Sequence, residues 1–192
     1  MATNDTKTAI LDSAQDLIQR LGANAMSYDH ISKTVGIRKA SIHYHFPTKE
    51  NLLEALLERY NEHFLKIVDD LFAGKDPEDK KLLKYMGLFE LTLREGAHDK
   101  TCLCGMLGAE LSTLGSDAAD RVRYFYSENE KRLASLLDNG KKKKVFKFKG
   151  NSKKLASLIF SFLEGAMLLA RAEGGVKKFQ SVKEQMMELV KS

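Results

Sequence analysis

Apolar residues recur at three- and four-residue spacings along nearly the whole chain, which is the period of an amphipathic α-helix. The first such segment carries Ile10, Ala14, Ile18 and Leu21, and Gly22 follows it as a stop signal. The chain has only two prolines, and the alternation of β-branched residues that marks a strand is scarce. The pattern therefore predicts an all-α fold.

Two short helices are predicted within residues 27–46. Ser27 is a suitable N-cap for the first helix, and Gly36 interrupts it. The second helix covers residues 38–44 and ends before Pro47, because the residue that precedes a proline disfavours helical geometry. Two short helices joined by a turn that contains glycine predict a helix-turn-helix motif. The small apolar cluster that packs the two helices together would consist of Ile31, Val35, Ile37 and Ile42.

Longer helices follow this motif. Thr48 is the expected N-cap of a fourth helix with an apolar stripe, which ends near Gly74. The pattern predicts further helices over residues 78–95, 103–114, 118–139, 153–172 and 178–191. The break between the third and fourth of these covers residues 139–152 and contains most of a lysine-rich segment.

Composition places the chain among soluble globular proteins. Its 192 residues suffice for one large domain or two smaller ones, and 43% are hydrophobic while 30% are charged. No uninterrupted apolar run reaches the ~20 residues that span a bilayer. The first seven residues lack the apolar core of a signal peptide. We therefore expect a cytoplasmic protein with no membrane partner.

The positive net charge of +5 is unevenly distributed. Residues 1–64 hold seven Lys and Arg against eight Asp and Glu, whereas residues 65–192 hold 24 against 18. Residues 141–154 alone carry eight lysines and no acid, which favours a solvated loop over a nonspecific anion patch. Global basicity therefore carries little information. The informative window is residues 30–49, which lack any acid, as contact with a phosphate backbone requires.

Candidate DNA contacts lie in and around the second short helix. Lys39, Ala40 and Ser41 begin that helix and are candidates for base edges, since lysine can donate to guanine and an alanine methyl can meet thymine. Side chains with charge, hydroxyl groups or ring N–H donors are candidates for phosphates. They are Ser27, Arg38, His43, Tyr44, His45 and Lys49.

Residues 36–53, with the sequence GIRKASIHYHFPTKENLL, carry a family resemblance. The segment resembles the recognition helix and following helix of TetR/AcrR repressors. The resemblance implies a DNA-binding domain over residues 4–64, with its helix-turn-helix at about 27–46, and an effector-binding and dimerisation domain over residues 65–192. It also implies a homodimer on palindromic double-stranded operator DNA. The alternative is a three-helix packing unit with no DNA role.

His43 departs from the family pattern, which most often has tyrosine at this position. A phosphate contact through His43 is therefore expected to be weaker or sensitive to pH. His43 and His45 do not form a convincing metal pair, because residues two apart on a helix point to different faces. We expect neither a metal nor a cofactor.

The helix predicted over residues 153–172 has more apolar surface than an exposed helix tolerates. Together with residues 118–139 it is expected to form half of an intersubunit four-helix bundle, unless it is an ordinary core helix. Glu164 shares a face with Ser157, Ser161 and Arg171, which favours a solvated side. Large, adaptable side chains are candidates for an effector pocket. These are Phe89, Leu93, Cys104, Met106, Leu107, Phe125, Tyr126 and Phe160.

Residues 102–111, CLCGMLGAEL, resemble a stretch in a TetR subgroup in which some members sense oxidants or electrophiles through a cysteine. Cys102 is the redox candidate, because a helix start and the nearby Lys100 favour a thiolate. Cys104 lies further inside the helix and is expected to be more buried. The alternative is that both cysteines are small packing residues.

These observations predict a repressor that a small apolar or electrophilic effector releases from DNA. The alternatives are a redox sensor that acts through Cys102 and an activator with the same DNA-binding head. An enzyme or a ligand carrier is disfavoured, because the chain lacks a nucleophile–base pair, a phosphate-binding glycine loop and metal-ligand spacing.

Overall fold

The computed structural model describes residues 3–95, 99–173 and 175–191, and in these ranges it contains helices and no strand. The helices are α1 (Thr3–Leu21), α2 (Tyr28–Val35), α3 (Lys39–His45), α4 (Lys49–Ala73), α5 (Glu78–Glu95), α6 (Leu103–Ala109), α7 (Ser116–Lys142), α8 (Ser152–Glu173) and α9 (Gly175–Lys191). The prediction of an all-α fold with an N-terminal helix-turn-helix is confirmed.

Helices α6 and α7 end at other residues than the sequence predicted. The helix expected over residues 103–114 is divided into α6 and a short 3-10 turn, Leu111–Thr113, with Glu110 between them. Helix α7 continues to Lys142, since lysine is compatible with a helix interior. It ends where the amides of Val145 and Phe146 both donate to the Gly140 carbonyl, at 2.8 and 3.1 Å.

The helices form two compact units that are not contiguous in sequence. The first unit contains Met1–Glu62 and Leu103–Phe125, and the second contains His63–Cys102 and Tyr126–Ser192. The chain therefore passes from one unit to the other three times, twice within a long helix and once between Cys102 and Leu103. The division into a DNA-binding and an effector domain remains a prediction about function.

The first unit is organised around α1, which packs against α2 and α6. Its core consists of aliphatic side chains at the helical spacing that the sequence predicted, and Phe125 is also fully buried. The fully buried aliphatic residues are Ile10, Ile18, Ile31, Ile42, Leu52, Leu56, Leu57, Leu103, Leu107 and Val122. Burial of each such side chain contributes about 1.5–3 kcal/mol.

The second unit is built on α5, α8 and α9, which pack against one another. Glu90 of α5 is 8% exposed and accepts hydrogen bonds from Arg94, Gln180 and Lys183. Burial opposes the charge of Glu90, but these donors outweigh it and lower the pKa of this carboxyl to about 2. Glu90 is thus a buried acid with all the donors it needs, and it ties α5 to α9.

The lysine-rich segment is anchored in part rather than fully solvated. The Lys143 ammonium lies 2.6 Å from Glu78, whose carboxylate is almost completely buried. The ammonium of Lys141 lies over the Phe148 ring, 4.8 Å from its centroid. These contacts give two of the eight lysines a structural role.

Helix α8 is the one described helix that is long and apolar enough, by length and composition alone, to cross a membrane. Within the 18 most apolar consecutive residues of α8, 39% are buried inside the protomer. Core helices of soluble proteins can have the same length and apolar composition. The apolar surface that α8 leaves exposed includes Leu158 and Phe162, at 48% and 53%.

Candidate nucleic-acid interface

A small apolar cluster fixes the angle between α2 and α3. Ile31 and Ile42 are fully buried, and Val35 and Ile37 are half-buried, in agreement with the residues that the sequence selected. Gly36 lies at φ +73°, in the left-handed region that glycine adopts without strain. Its amide donates to the Ser32 carbonyl at 3.0 Å, which ends α2 and starts the turn.

This packing leaves one face of α3 open to solvent. Five of the residues predicted to contact DNA, Arg38, Lys39, Ala40, His43 and Tyr44, are exposed, and Tyr44 retains 77% of its surface. Three others, Ser27, Ser41 and His45, are half-buried. A large tyrosine exposed to this degree beside cationic residues is available to a partner.

Ser27 has a local role in addition to its predicted phosphate contact. Its backbone is extended, and its hydroxyl oxygen accepts from the amide of His30 at 3.4 Å, so that it caps α2. The N-cap of α3 is Arg38, whose side chain makes no capping hydrogen bond. The first amides of α3 therefore have no side-chain acceptor from their own N-cap.

Lys39 is paired with an acid on the preceding helix. Its ammonium lies 2.6 Å from Oδ1 of Asp29, and both side chains are more than half exposed. The hydrogen bond from Lys39 lowers the pKa of Asp29. Asp29 lies one residue before the acid-free window, so the linear sequence did not show that it faces Lys39.

Tyr28 is a residue of the motif that the sequence analysis did not select. Its hydroxyl donates toward the carbonyls of Phe46 and Thr48, at 2.9 and 2.6 Å, and thereby joins the start of α2 to the turn between α3 and α4. Burial, followed by the charge of Glu50, raises the pKa of Tyr28 to about 12. Only the fold brings Tyr28 to these carbonyls, which are 18 and 20 residues away.

His43 contacts the same turn. Its Nδ1 lies 3.2 Å from the Pro47 carbonyl, and its ring meets the Tyr28 ring edge-on with centroids 4.8 Å apart. The exposed side chain is thus oriented by α2 and by the turn. In the described parts of the chain, no three His, Cys, Asp or Glu side chains are grouped as a metal ion requires.

The ammonium of Lys49 points into the protein. It donates to the carbonyl of Ala23 and, at 2.8 Å, to that of Met26. Both carbonyls belong to the turn between α1 and α2. This geometry supports a role for Lys49 in positioning that turn, whereas the sequence suggested a phosphate contact.

Glu110 holds the same turn through its amides. Its carboxylate accepts from the amide of Ala23 at 2.6 Å and from that of Asn24 at 3.2 Å. Gly22 lies at φ +86°, and a Cβ there would be 2.5 Å from Oε1 of Glu110. Gly22 is therefore required both by the backbone and by the close approach of the carboxylate.

Comparison with known proteins identifies the motif. Residues 10–56 match the sequence family described as bacterial regulatory proteins of the tetR family, and they include α2, α3 and the turns around them. The chain is similar to regulators of the TetR family along this segment. The helix-turn-helix formed by α2 and α3 therefore matches the DNA-binding motif of a family of transcriptional regulators.

Relatives from this family match nearly the whole length of the chain. It is 25% identical to the transcriptional repressor NemR of Escherichia coli over 172 residues, which cover 88% of this chain and 85% of NemR. A TetR-family regulator from Agrobacterium tumefaciens has a TM-score of 0.93 and 29% identity, with coverage of 99% and 100%. A TetR regulator from Legionella pneumophila has a TM-score of 0.84 and 28% identity, with coverage of 95% and 96%.

The predicted effector residues are divided between the two units. The first unit contains Cys104, Met106, Leu107 and Phe125, and the second contains Phe89, Leu93, Tyr126 and Phe160. In the second unit the aromatic rings form a continuous cluster. Phe160 meets Phe89 and Tyr126 edge-on, with centroids 6.2 and 5.7 Å apart.

Both cysteines are buried thiols, at 2% exposure for Cys102 and none for Cys104. Cys102 directly precedes α6, as predicted, but a carboxyl rather than a cation is its hydrogen-bonding neighbour. The acceptor is Glu164 of α8. The Cys104 thiol lies 3.9 Å from Oδ1 of Asn61.

The prediction that Glu164 occupies a solvated face is wrong. Although the residue as a whole keeps some exposure, its carboxyl oxygen Oε1 is buried. Burial raises the pKa of Glu164 to about 7, and the hydrogen bond from Cys102 opposes this shift. Helical spacing placed Glu164 beside Ser157 and Arg171, but it did not show that the carboxyl of Glu164 is enclosed while Arg171 stays exposed.

Proposed function

We propose that the protein is a repressor that binds a palindromic operator as a homodimer and leaves it when a small effector binds in the C-terminal region. The observation that carries the proposal is the outward face of α3, with Lys39, Ala40 and Tyr44 exposed above the buried Ile31 and Ile42. Such a face fits a major groove, where the first residues of a recognition helix read base edges.

Each predicted contact has a defined place in this proposal. Lys39, Ala40 and Ser41 read bases from the start of α3. Arg38, Tyr44 and the edges of the His43 and His45 rings contact phosphates, as does Ser27 beside the start of α2. The orientation of Lys49 supports an indirect role, in which its ammonium positions the turn between α1 and α2.

Dimer formation is supported by an apolar groove on α8 and α9. Leu158, Phe162 and Leu189 are exposed at 48%, 53% and 61%. The groove between the two helices also includes Ile159 and Met186. An apolar surface of this kind on a TetR-family regulator is suited to a second copy of the chain, which would complete a four-helix bundle.

This arrangement replaces α7 by α9 as the partner of α8 in the bundle. In the second unit, the large apolar side chains of α7 at Leu133, Leu136 and Leu137 face the interior of the protomer. They have no free surface for a second copy. The sequence could not separate α7 from α9, because both have an apolar stripe at helical spacing.

A route for the effector signal passes through the junction of Cys102 and Leu103, where the chain changes unit. Helix α6 begins at Leu103, and Glu110 follows its last residue and holds the amides of Ala23 and Asn24. A ligand that displaces residues 100–102 would move α6. It would thereby disturb the turn that supports α2 and the recognition helix.

The burial of both thiols favours reversible effector binding over direct sensing at Cys102. An oxidant or electrophile must reach a thiol before it reacts, and Cys102 and Cys104 have almost no accessible surface. NemR is a transcriptional repressor and the Agrobacterium protein is a transcriptional regulator, which supports a binding function for this chain.

The decisive experiment is a mobility-shift and footprinting assay of the full-length protein on the DNA that flanks its own gene. We expect one protected palindrome whose half-sites are about 34–36 Å apart along one face of the duplex. Lys39→Ala should relax base preference at one position of each half-site. If no sequence is protected over competitor DNA at any salt concentration, the repressor function is excluded.

A further inference from the structure

Glu164 has a buried carboxyl group whose hydrogen bonding is incomplete. Its Oε1 is inaccessible to solvent and has no hydrogen-bond partner among the residues that the structure describes. The one donor to this carboxyl in the described residues is the weak thiol of Cys102. Buried polar atoms are normally paired, so an orphaned carboxyl oxygen requires an explanation.

The contrast with Glu90 in the same unit shows what is missing. Glu90 is also a buried acid, but it receives hydrogen bonds from a guanidinium, an ammonium and an amide. A buried acid in this unit can therefore be fully paired with donors. The fold itself does not require Glu164 to lack them. Glu164 has the acceptor of such a site and lacks the donor.

Two hydroxyl groups of the second unit donate to acceptors other than Glu164. The hydroxyl of Tyr85 donates to Oδ1 of Asn129 at 3.0 Å, and the hydroxyl of Ser157 donates to Glu130 at 2.9 Å. Burial, then the charges of Glu164, Cys102 and Glu130, raise the pKa of Tyr85. The hydroxyl groups of Tyr85 and Ser157 are therefore already used by acceptors other than Glu164.

Aromatic rings line the same region. Phe160 lies one turn before Glu164 on α8 and therefore on the same side of the helix. Phe160 contacts Phe89 and Tyr126, and Phe89 contacts Tyr85, with ring centroids 5.6 Å apart. Aromatic faces attract cations electrostatically, and a carboxylate adds a charged hydrogen bond to an N–H donor.

We propose that Glu164 anchors a binding site for a small organic cation, an ammonium or amidinium group attached to an apolar body. The cation donates to Oε1 of Glu164, and the apolar body packs on Phe89, Tyr126 and Phe160. The site specifies the chemical class of the effector. Its role in regulation, but not the binding of the cation, rests on the proposed repressor function. A neutral apolar effector would leave Oε1 without a partner.

The test uses the full-length protein and four probes: butylammonium, benzylammonium, benzamidinium and the neutral benzyl alcohol. Binding is measured by titration calorimetry with wild-type protein, Glu164→Gln and the matched control Glu173→Gln. Glu173 lies on the same helix, where it is exposed and pairs with Lys178. Circular dichroism confirms that each variant keeps its helical content.

We expect at least one cation to bind wild-type protein and Glu173→Gln with equal affinity. Its affinity for Glu164→Gln should fall at least tenfold, and benzyl alcohol should bind at least tenfold more weakly than benzylammonium. The site is refuted if Glu164→Gln binds the cations as wild type does. It is equally refuted if none of the three cations binds wild-type protein at millimolar concentration, or if the neutral alcohol binds as tightly as benzylammonium.

Operator binding is measured separately, so that the two proposals fail in different ways. Failure of the repressor function appears as absence of operator binding in ligand-free wild-type protein. Failure of the cation site appears in the calorimetry alone. A cation that binds through Glu164 and weakens the operator complex of wild type, but not that of Glu164→Gln, supports both.

Discussion

The ammonium of Lys39, at the start of the recognition helix, is paired with the carboxylate of Asp29 on the preceding helix at 2.6 Å. If Lys39 contacts DNA, its ammonium must therefore leave the carboxylate of Asp29 for a base edge or a phosphate. Both side chains are largely exposed, so the pair itself stabilises the fold little. We expect its effect to be on binding, because Asp29 places a negative charge close to the surface that is proposed to face DNA.

Asp29→Asn should strengthen operator binding, because it frees Lys39 and removes a charge that repels phosphates. We expect a gain of about two- to fivefold at low salt, with a steeper dependence of affinity on salt concentration. Fluorescence anisotropy with labelled operator measures both. Asp70→Asn is the control, since Asp70 forms a similar exposed pair with Lys66 on α4 and the change in net charge is the same. Equal effects of the two variants would argue against a local role for Asp29.

Lys49→Met should lower the free energy of unfolding by about 1–3 kcal/mol, because the carbonyls of Ala23 and Met26 lose a charged donor. The salt dependence of operator binding should stay unchanged. Arg38→Met should do the opposite and reduce the slope of log affinity against log salt by about 0.9 without loss of stability. Urea unfolding and salt titrations separate these effects. A reduced slope for Lys49→Met would instead support the phosphate contact that the sequence suggested.

Gly22→Ala should destabilise the protein more than Gly36→Ala. Both glycines have positive φ, and an alanine there is strained by about 1–2 kcal/mol. A Cβ at Gly36 meets open space, whereas a Cβ at Gly22 collides with Oε1 of Glu110. Urea unfolding of both variants in the wild-type and Glu110→Ala backgrounds completes a double-mutant cycle. The excess destabilisation at Gly22 should shrink when Glu110 is absent, and an unchanged excess would assign it to another neighbour.

Leu189→Glu should convert the dimer to a monomer, because it places a charge in the exposed apolar groove of α8 and α9. Tyr124→Glu, at a residue of α7 with 52% exposure, should leave the dimer intact. Sedimentation velocity at several protein concentrations distinguishes the two results. The reverse outcome would indicate that α7, rather than α9, forms the interface together with α8.

Glu164 should make stability depend on pH between about 4.5 and 7. Its folded-state pKa is about 7, above the ordinary value of 4.5, and Tyr85 of α5, Glu130 of α7 and Cys102 before α6 are the titratable groups near it. The stabilisation is fully present below pH 4.5 and is lost as the pH rises through 7. Relative to Glu164→Gln, wild type should lose up to about 3 kcal/mol over this interval. Urea unfolding at each pH checks this, and a flat difference would contradict the burial of the carboxyl.

The sequence predicted the helices well, because helical periodicity and caps are local properties. Thr48 illustrates this, since its hydroxyl accepts from the amide of Asn51 and caps α4 as expected. The exposed side of α3 was predicted for the same reason. Once Ile42 faces the apolar cluster, Ala40 and Tyr44, each two positions away from it, must lie on the other side of the helix.

Contacts between distant segments were not predictable from local pattern. Lys49 looked like a free cation, although its ammonium binds carbonyls 23 and 26 residues earlier in the chain. Glu164 looked solvated, although Cys102, 62 positions before it, donates to its carboxyl. In both cases the sequence showed the chemical group correctly and could not show what the fold brings to it.

The carboxylate of Glu110 has a consequence for protein engineering. It comes from residue 110 and completes a turn at residues 22–24, so the DNA-reading head is not a contiguous cassette. A fragment cut near residue 64 would leave the Ala23 and Asn24 amides without their acceptor. Chimeric regulators made by grafting residues 1–64 onto a foreign sensor must therefore supply an equivalent acid, or carry α6 and its following turn with the graft.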